Sequence, residues 1–224
     1  MEDFIYINGL KDFYNPLLEH MRKHPELVAS PEFIEMTREE QMKYIWQIKK
    51  KQMEVDPDRY FYKVESGAMM PHYLAPGIDP TSLHVGMFQT ALLKLGSDEQ
   101  AEKWIKNVRS MKWMGCYAQT EMGHGSNVAG LETTATLDLA TDEFVIHSPT
   151  VTSTKFWPGG LGLWANYAAV FAQCIVGENN YGVNCFLVPI RDLETHLPLK
   201  GVKVGDIGPK LGYNSKDNGW LMFD

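Results

Sequence analysis

Two different hydrophobic patterns divide the chain near residue 113. In the first half, apolar residues recur every three or four positions. Between residues 37 and 53 this spacing marks one face, formed by Met42, Ile45, Trp46, Ile48 and Met53. Such a period predicts an amphipathic α-helix. In the second half, short apolar stretches alternate with clusters of turn residues, which predicts β-strands.

Start and stop signals predict two more helices in the first half. Residues 82–95 form a largely apolar stretch, which Gly96 would end as a C-cap. Ser97 is followed three residues later by Gln100, the spacing of a capping box that opens a helix. The good helix formers Met, Lys, Glu and Gln are abundant throughout this half. We therefore predict an all-α domain for residues 1–113.

Four β-rich segments occupy the second half of the chain: residues 133–137, 144–147, 168–176 and 183–189. Residues 139–143 join the first two and are a candidate for the turn of a hairpin. Short strands separated by turns favour an antiparallel barrel or sandwich. The predicted fold class is α+β, with a helical domain over residues 1–113 and a β-domain over residues 114–224.

The composition excludes several classes of function. The formal net charge of −7 argues against nucleic-acid and anionic-membrane binding, because both need a basic face. No stretch approaches the roughly 20 apolar residues of a membrane span. Three cysteines without CxxC spacing fit a reducing compartment. Seven histidines without an HExxH motif predict that no metal is bound.

The segment 115–127 carries the densest set of groups able to bind a ligand. Its polar or flexible positions are Gln119, Thr120, Gly123, Gly125 and Ser126. Such a loop can present several N–H and O–H donors to an anionic or heterocyclic ligand. The spacing matches neither a dinucleotide fingerprint nor a P-loop, in which a lysine would replace Leu131. By spacing alone, a glycine-rich turn without a ligand explains the segment as well.

A second segment, residues 152–162, places Trp157 before Pro158, Gly159 and Gly160. This order predicts a tight turn that leaves bare backbone beside a large flat ring. A flavin would suit such a site, because its rings need a flat wall and its polar edge needs backbone donors. A core tryptophan beside a hairpin turn is the alternative interpretation.

Together these segments resemble the acyl-CoA oxidases, a flavin-dependent branch of the acyl-CoA dehydrogenase superfamily. The matching blocks, in family order, are residues 116–127, 130–136, 148–153, 155–162, 188–191 and 201–210. The resemblance implies an N-terminal helical domain, a middle β-domain and C-terminal helical domains. It also implies a peroxisomal homodimer that uses FAD to oxidise acyl-CoA to trans-2-enoyl-CoA and reduces O₂ to H₂O₂.

The resemblance also implies roles for six residues. Thr120 and Gly159 would line the flavin, with Gln119, Gly125 and Trp157 in the same pocket. Ser126 would lie near the pyrophosphate or the thioester ligand. Related dehydrogenases usually have Trp-x-Thr where this chain has Trp157, Pro158 and Gly159, and this difference favours an oxidase over a dehydrogenase.

The family's general base is a glutamate in the C-terminal helical region, and no position up to Asp224 matches it. The resemblance therefore assigns no catalytic residue here. We expect the 224-residue chain alone to bind FAD weakly and to release no H₂O₂. A C-terminal peroxisomal address is not expected within it either. Two alternatives remain: a truncated, non-catalytic protein that binds FAD, acyl-CoA or a partner, and a flavin-dependent acyl-CoA dehydrogenase.

Overall fold

The computed structural model describes residues 19–20, 22–28, 30–55 and 77–224. The chain forms two compact units, Met1–Asp79 and Pro80–Asp224. Residues 1–18, 21, 29 and 56–76 of the predicted all-α domain lie outside the described residues. None of the helices within the described ranges combines the length and the apolar character needed to cross a bilayer.

The first unit contains helix α1 (Arg38–Val55), which confirms the helix predicted from the apolar spacing. Short 3₁₀ turns at Pro25–Leu27 and Pro31–Glu35 precede it. Met42 and Ile45 are buried on the inward face of the helix, as its period requires.

Three helical segments open the second unit. A π-helical segment over His84–Gln89 continues directly into α2 (Thr90–Leu95), and α3 (Asp98–Arg109) follows. The predicted capping box is present, because the Ser97 side chain accepts from the Gln100 N–H and the Gln100 side chain accepts from the Ser97 N–H. The apolar stretch predicted as one regular helix therefore includes a wider π segment.

The strands of the second unit are β1 (Gly115–Ala118), β2 (Thr134–Asp138), β3 (Glu143–His147), β4 (Lys155–Gly159), β5 (Tyr167–Val176), β6 (Asn179–Pro189), β7 (Val202–Asp206) and β8 (Asn218–Phe223). Each of the four predicted β segments and the predicted β2–β3 hairpin are confirmed. The α+β class is confirmed as well.

The strands form two separate sheets, and within the described residues neither closes into a barrel. The first has β5 at its centre, with β1 and then β2 along one edge and β6 along the other, and β3 outside β2. Both β1 and β2 run parallel to β5, so this sheet is mixed rather than antiparallel. The second sheet is antiparallel, in the order β4-β8-β7.

Strand β5 is covered on both faces, which explains its continuous apolar run. Ala168 and Val170 face a core shared with Leu221 and Phe223 of the second sheet. Ala169 faces the opposite side, where it packs with Phe88 of the π segment and with other helical residues. The sheet therefore has the second sheet on one face and the helices on the other.

His84 connects the π segment to the start of β1. The Gly115 N–H donates to His84 Nδ1 at 3.0 Å, so the ring proton lies on Nε2, which is 3.1 Å from the Val108 carbonyl oxygen. Burial lowers the pKa of His84 from 6.5 to about 4, although the bond to Val108 opposes this effect. The folded protein therefore keeps this imidazole neutral.

We expect the free energy of unfolding to fall as the pH drops from 6.5 towards 4, because the unfolded chain protonates His84 more readily than the folded chain. The contribution of neutral His84 to the free energy of unfolding is complete above pH 6.5. About 3 kcal/mol of it is lost near pH 4. Urea unfolding at several pH values measures it. His84→Gln should flatten this dependence, whereas His147→Gln on exposed strand β3 should leave it unchanged. An equally steep profile for His84→Gln would contradict the assignment.

Candidate functional site

The two chemically dense segments found in the sequence lie side by side in the structure. The residues that follow β1 run beside β4. The Phe156 N–H donates to the Thr120 carbonyl at 2.9 Å, and the Met122 N–H donates to the Thr154 carbonyl at 2.9 Å. The chain thus brings together two segments that lie more than 30 residues apart.

A cleft of about 270 Å³ opens where these segments meet. Its lining is Leu83, Met87, Tyr117, Gln119, Thr120, Phe156, Trp157, Pro158 and Gly159. Four of the six predicted site residues, Gln119, Thr120, Trp157 and Gly159, lie in this lining. Gly125 and Ser126 do not, since both lie on the exposed loop that follows.

The cleft combines polar groups with aromatic rings. Phe156 and Trp157 meet edge to face, with ring centroids 5.5 Å apart, and Trp157 is 55% exposed. In the part of the chain that the structure describes, neither the Thr120 hydroxyl nor the Gln119 side-chain amide has a hydrogen-bond partner. Both groups can therefore bond to a ligand that lies against the aromatic rings.

The backbone at Trp157 departs from the predicted tight turn. Residues 157–159 belong to β4, and the register with β8 shifts between Phe156 and Gly159. Trp157 has a φ of 85°, in a region that non-glycine residues rarely adopt. A β-bulge re-aims the Trp157 side chain without ending the strand. The predicted tight turn begins later than expected, because pairing with β8 continues to Gly159 and the turn spans residues 160–164.

The loop that carries Gly125 and Ser126 is held at Gly123. Its N–H donates to the Thr152 carbonyl at 2.9 Å. A Cβ at Gly123 would lie 2.9 Å from Thr152 Cβ, so a larger residue would force the two segments apart. Gly125 has open space instead, which leaves the tip of the loop accessible to a ligand.

Beneath the cleft lies a buried ion pair between Glu121 and Lys155. The Lys155 ammonium is 2.9 Å from Glu121 Oε1 and donates to the Gln119 and Phe171 carbonyls at 3.2 and 2.6 Å. The Glu121 carboxylate also accepts from the N–H and the hydroxyl of Thr133, at 2.9 and 2.5 Å. Glu121 is not part of the cleft lining and its carboxylate is bonded to protein groups, so its observed role is structural.

The two members of the pair respond differently to burial. Burial alone would raise the pKa of Glu121, but hydrogen bonds from Glu132 and Thr133 and the charge of Lys155 outweigh it, and the pKa is lowered. Burial also lowers the pKa of Lys155, and the attraction of Glu121 offsets this only in part. The pair depends on every one of its hydrogen bonds, since buried charges are costly without them.

Glu121, His124 and Glu132 form a cluster whose possible ligand atoms lie within 4.8 Å of one another. Histidine spacing could not reveal it, because the tertiary fold creates it. Glu132 Oε2 already accepts from the hydroxyls of Thr150 and Thr152, at 2.5 and 2.6 Å. Glu121 is likewise paired with the Lys155 ammonium. Both carboxylates therefore have partners within the protein, and the cluster supports the loop.

Several residues around the cleft were not identified from the sequence. Met87 comes from the π segment, Leu83 directly precedes that segment, and Tyr117 comes from β1. Lys155 lies within a block that matches the family and has no predicted role, although it is fully buried. No local sequence signal marks these residues, because apolar residues before a strand and lysines within a strand are common in β-proteins.

Two family models match adjoining parts of the chain. The model described as acyl-coenzyme A oxidase N-terminal matches residues 12–114. The model described as acyl-CoA dehydrogenase, middle domain, matches residues 116–224.

Curated relatives share more than half of the aligned residues. Acyl-coenzyme A oxidase acox-1.2 of Caenorhabditis elegans is 55% identical over 142 residues, which cover 63% of this chain and 22% of the relative. Peroxisomal acyl-coenzyme A oxidase 1 of Rattus norvegicus is 53% identical over 152 residues, which cover 68% of this chain and 23% of the relative. The chain thus spans about a fifth of the length of these relatives.

Solved structures agree with this similarity. An acyl-CoA oxidase from tomato superposes with a TM-score of 0.83 at 45% identity, covering 94% of this chain and 32% of that one. Acyl-CoA oxidase-1 of Caenorhabditis elegans, solved in complex with FAD and ATP, has a TM-score of 0.84 at 41% identity. That match covers 92% of this chain and 32% of the other.

Breaking the Glu121–Lys155 pair should strongly destabilise the fold. We expect Lys155→Met to lower the free energy of unfolding by about 3–5 kcal/mol, because it leaves a buried carboxylate without its cation. Urea unfolding measures this loss. The double variant Glu121→Gln/Lys155→Met should lose less than the sum of the two single variants.

The matched control for this prediction is Lys203→Met. Its partner Asp224 is 2.7 Å away, but both side chains are more than half exposed, so the loss should stay below about 1 kcal/mol. Additive losses in the double variant would show that Glu121 and Lys155 do not act as a pair.

Proposed function

The chain belongs to the acyl-CoA oxidase family, and on this basis we propose that it supplies the flavin-facing part of an FAD-dependent oxidase. The reaction is the oxidation of acyl-CoA to trans-2-enoyl-CoA, with O₂ reduced to H₂O₂. The curated relatives support this activity by their names, and the solved complex of a relative with FAD supports the cofactor.

One observation carries the proposal. Residues 119–120 and 157–159 come from two separate motif blocks, and they line the same cleft. A flavin is a flat aromatic group with a polar edge. The cleft offers aromatic surface at Phe156 and Trp157, and an unbonded hydroxyl and amide at Thr120 and Gln119. The residues present therefore fit the group that the family uses.

We assign the following roles to the chain's own residues. Thr120 and Gln119 donate to the polar edge of the flavin, and Trp157 covers its face. Gly159 is buried and lets the backbone pass close to the ring. When bound, FAD supplies the two-electron acceptor that carbon–carbon dehydrogenation needs. The protein's contribution here is to orient the ring and exclude water from one side of it.

Gly125 and Ser126 would contact a more distant part of a ligand. They lie outside the cleft lining, on the exposed loop whose base is held at Gly123. We assign them to the pyrophosphate of FAD or to the acyl-CoA, both of which extend well beyond a flavin ring. No residue of this chain is assigned as the general base.

We also propose the wider organisation of the enzyme. A domain boundary at residues 113–114 is supported by the two family models, which adjoin at residues 114 and 116. A peroxisomal location is supported by the names of the curated relatives. The homodimer and O₂ as acceptor follow from the family resemblance.

Titration with FAD tests the flavin site directly. Amide shifts of the ¹⁵N-labelled chain should move first at residues 119–120 and 157–160, even if affinity is weak. Thr120→Val should weaken binding about three- to tenfold, because it removes one hydrogen bond. Thr141→Val, in the exposed β2–β3 turn, is the matched control and should bind as the wild type does. Equal binding by Thr120→Val would exclude the assigned contact.

A chimeric enzyme tests the reaction. In the chimera, this chain replaces the matching segment of the tomato oxidase, whose structure superposes on 94% of this chain. We expect acyl-CoA-dependent H₂O₂ release in air. Formation of 2-enoyl-CoA only with an artificial electron acceptor would identify a dehydrogenase instead. Loss of both products, in a chimera that folds and retains FAD, would refute the proposed activity.

A further inference from the structure

Three consecutive residues that lead into β8 contact the segment that we assign to the flavin. Lys216, Asp217 and Asn218 lie opposite the bulged end of β4, where Gly159 pairs with Asn218. None of the three belongs to the cleft lining. Any effect of these three residues on a bound ligand is therefore indirect and acts through the backbone of residues 157–160.

Asp217 binds the backbone donors just after Gly159. Its carboxylate is 1% exposed and accepts from the N–H groups of Gly160 and Leu163, both at 3.1 Å. Its carbonyl accepts from the Gly162 N–H at 3.0 Å. One buried residue thus fixes several successive donors of the loop between β4 and β5.

Arg191 binds the same loop through its carbonyl groups. Its guanidinium donates to the carbonyls of Leu161 and Gly162, both at 3.0 Å, and to that of Ala165. Asp217 accepts hydrogen bonds from N–H groups of the loop and Arg191 donates to its carbonyl groups, so the loop has little freedom to shift. Buried hydrogen-bonded charges of this kind hold one backbone conformation, because any other would leave them unpaired.

Asn218 holds the unusual backbone at Trp157. Its side-chain amide donates to the Trp157 carbonyl at 2.6 Å. Trp157 has a φ of 85°, a conformation that persists only where the surroundings enforce it. The bond from Asn218 therefore helps to keep the indole ring directed into the cleft.

Lys216 closes the space behind Gly159. Its side chain is 2% exposed, and its ammonium donates to the Pro80 carbonyl at 2.8 Å. A Cβ at Gly159 would lie 2.8 Å from Lys216 Cε and 2.3 Å from Leu83 Cδ1. The lysine stem and the leucine thus require a glycine at this position.

We propose that Asp217 and Asn218 are positioning residues of the flavin site. They hold Trp157 and Gly159 in the geometry that accepts the ring, without touching it themselves. The inference rests on the proposed function, since it concerns the same cleft. It assigns to the start of β8 a role in ligand affinity beyond its role in folding.

The test compares FAD binding by the wild-type chain, Asp217→Asn and Asn218→Asp. Asp217→Asn keeps the volume but places an amide against backbone donors, and Asn218→Asp removes the donor to Trp157. Asp224→Asn, just beyond the other end of β8, is the matched control, since its carboxylate is exposed and bonded to Lys203. Binding is measured by amide shifts, at temperatures where urea titrations show every chain fully folded.

We expect Asp217→Asn to weaken FAD binding at least tenfold and Asn218→Asp at least fivefold. FAD-induced shifts should change at residues 157–160 and stay the same at residues 119–120. A purely structural role would lower the urea midpoint but leave the affinity of the folded chain and the shift pattern unaltered. If Asp217→Asn does not fold, Asn218→Asp decides the result.

The outcomes separate this inference from the proposed function. Wild-type affinity in the folded variants would overturn the positioning role and leave the proposed function intact. If millimolar FAD shifted no amide of the wild-type chain, the flavin site would be refuted, and the positioning role with it. Equal weakening in Asp224→Asn would show a general charge effect and also overturn the inference.

Discussion

The buried pair of Glu121 and Lys155 is the interaction on which the candidate site depends. Lys155 belongs to β4, Glu121 follows β1, and their hydrogen bonds reach Phe171 in β5 and Thr133 at the start of β2. Four segments of both sheets therefore meet at one pair of charges. Because an unpaired buried charge is costly, the segments must stay in this arrangement, and Gln119 stays beside the cleft.

A second group of buried polar residues holds the other side of the cleft. Asp217 and Arg191 bind the N–H and carbonyl groups of the loop after β4, and Asn218 binds Trp157. Loops lack the repeated hydrogen bonds of sheets, so side chains must satisfy their backbone groups. The apolar core between the sheets fixes the strands, whereas these polar contacts fix the ligand-facing backbone between them.

The sequence predicted the elements far better than their pairing. The capping box at Ser97 and the hairpin after β2 depend on neighbouring residues, and both were recognised. The π segment at residues 84–89 and the bulge at Trp157 were not, because packing against other elements creates them. The same holds for the parallel pairing of β5 with β1 and β2, which joins strands distant in the chain.

The sequence by itself determined the types of element, the α+β class, the family resemblance and the candidate ligand-binding residues. These follow from local periodicity, turn residues and short motifs. Only the tertiary structure decided that Gln119, Thr120, Trp157 and Gly159 share a cleft and that Gly125 and Ser126 lie outside it. It alone revealed Lys155 and Asp217, because the burial and partners of a charged side chain depend on contacts between segments far apart in the chain.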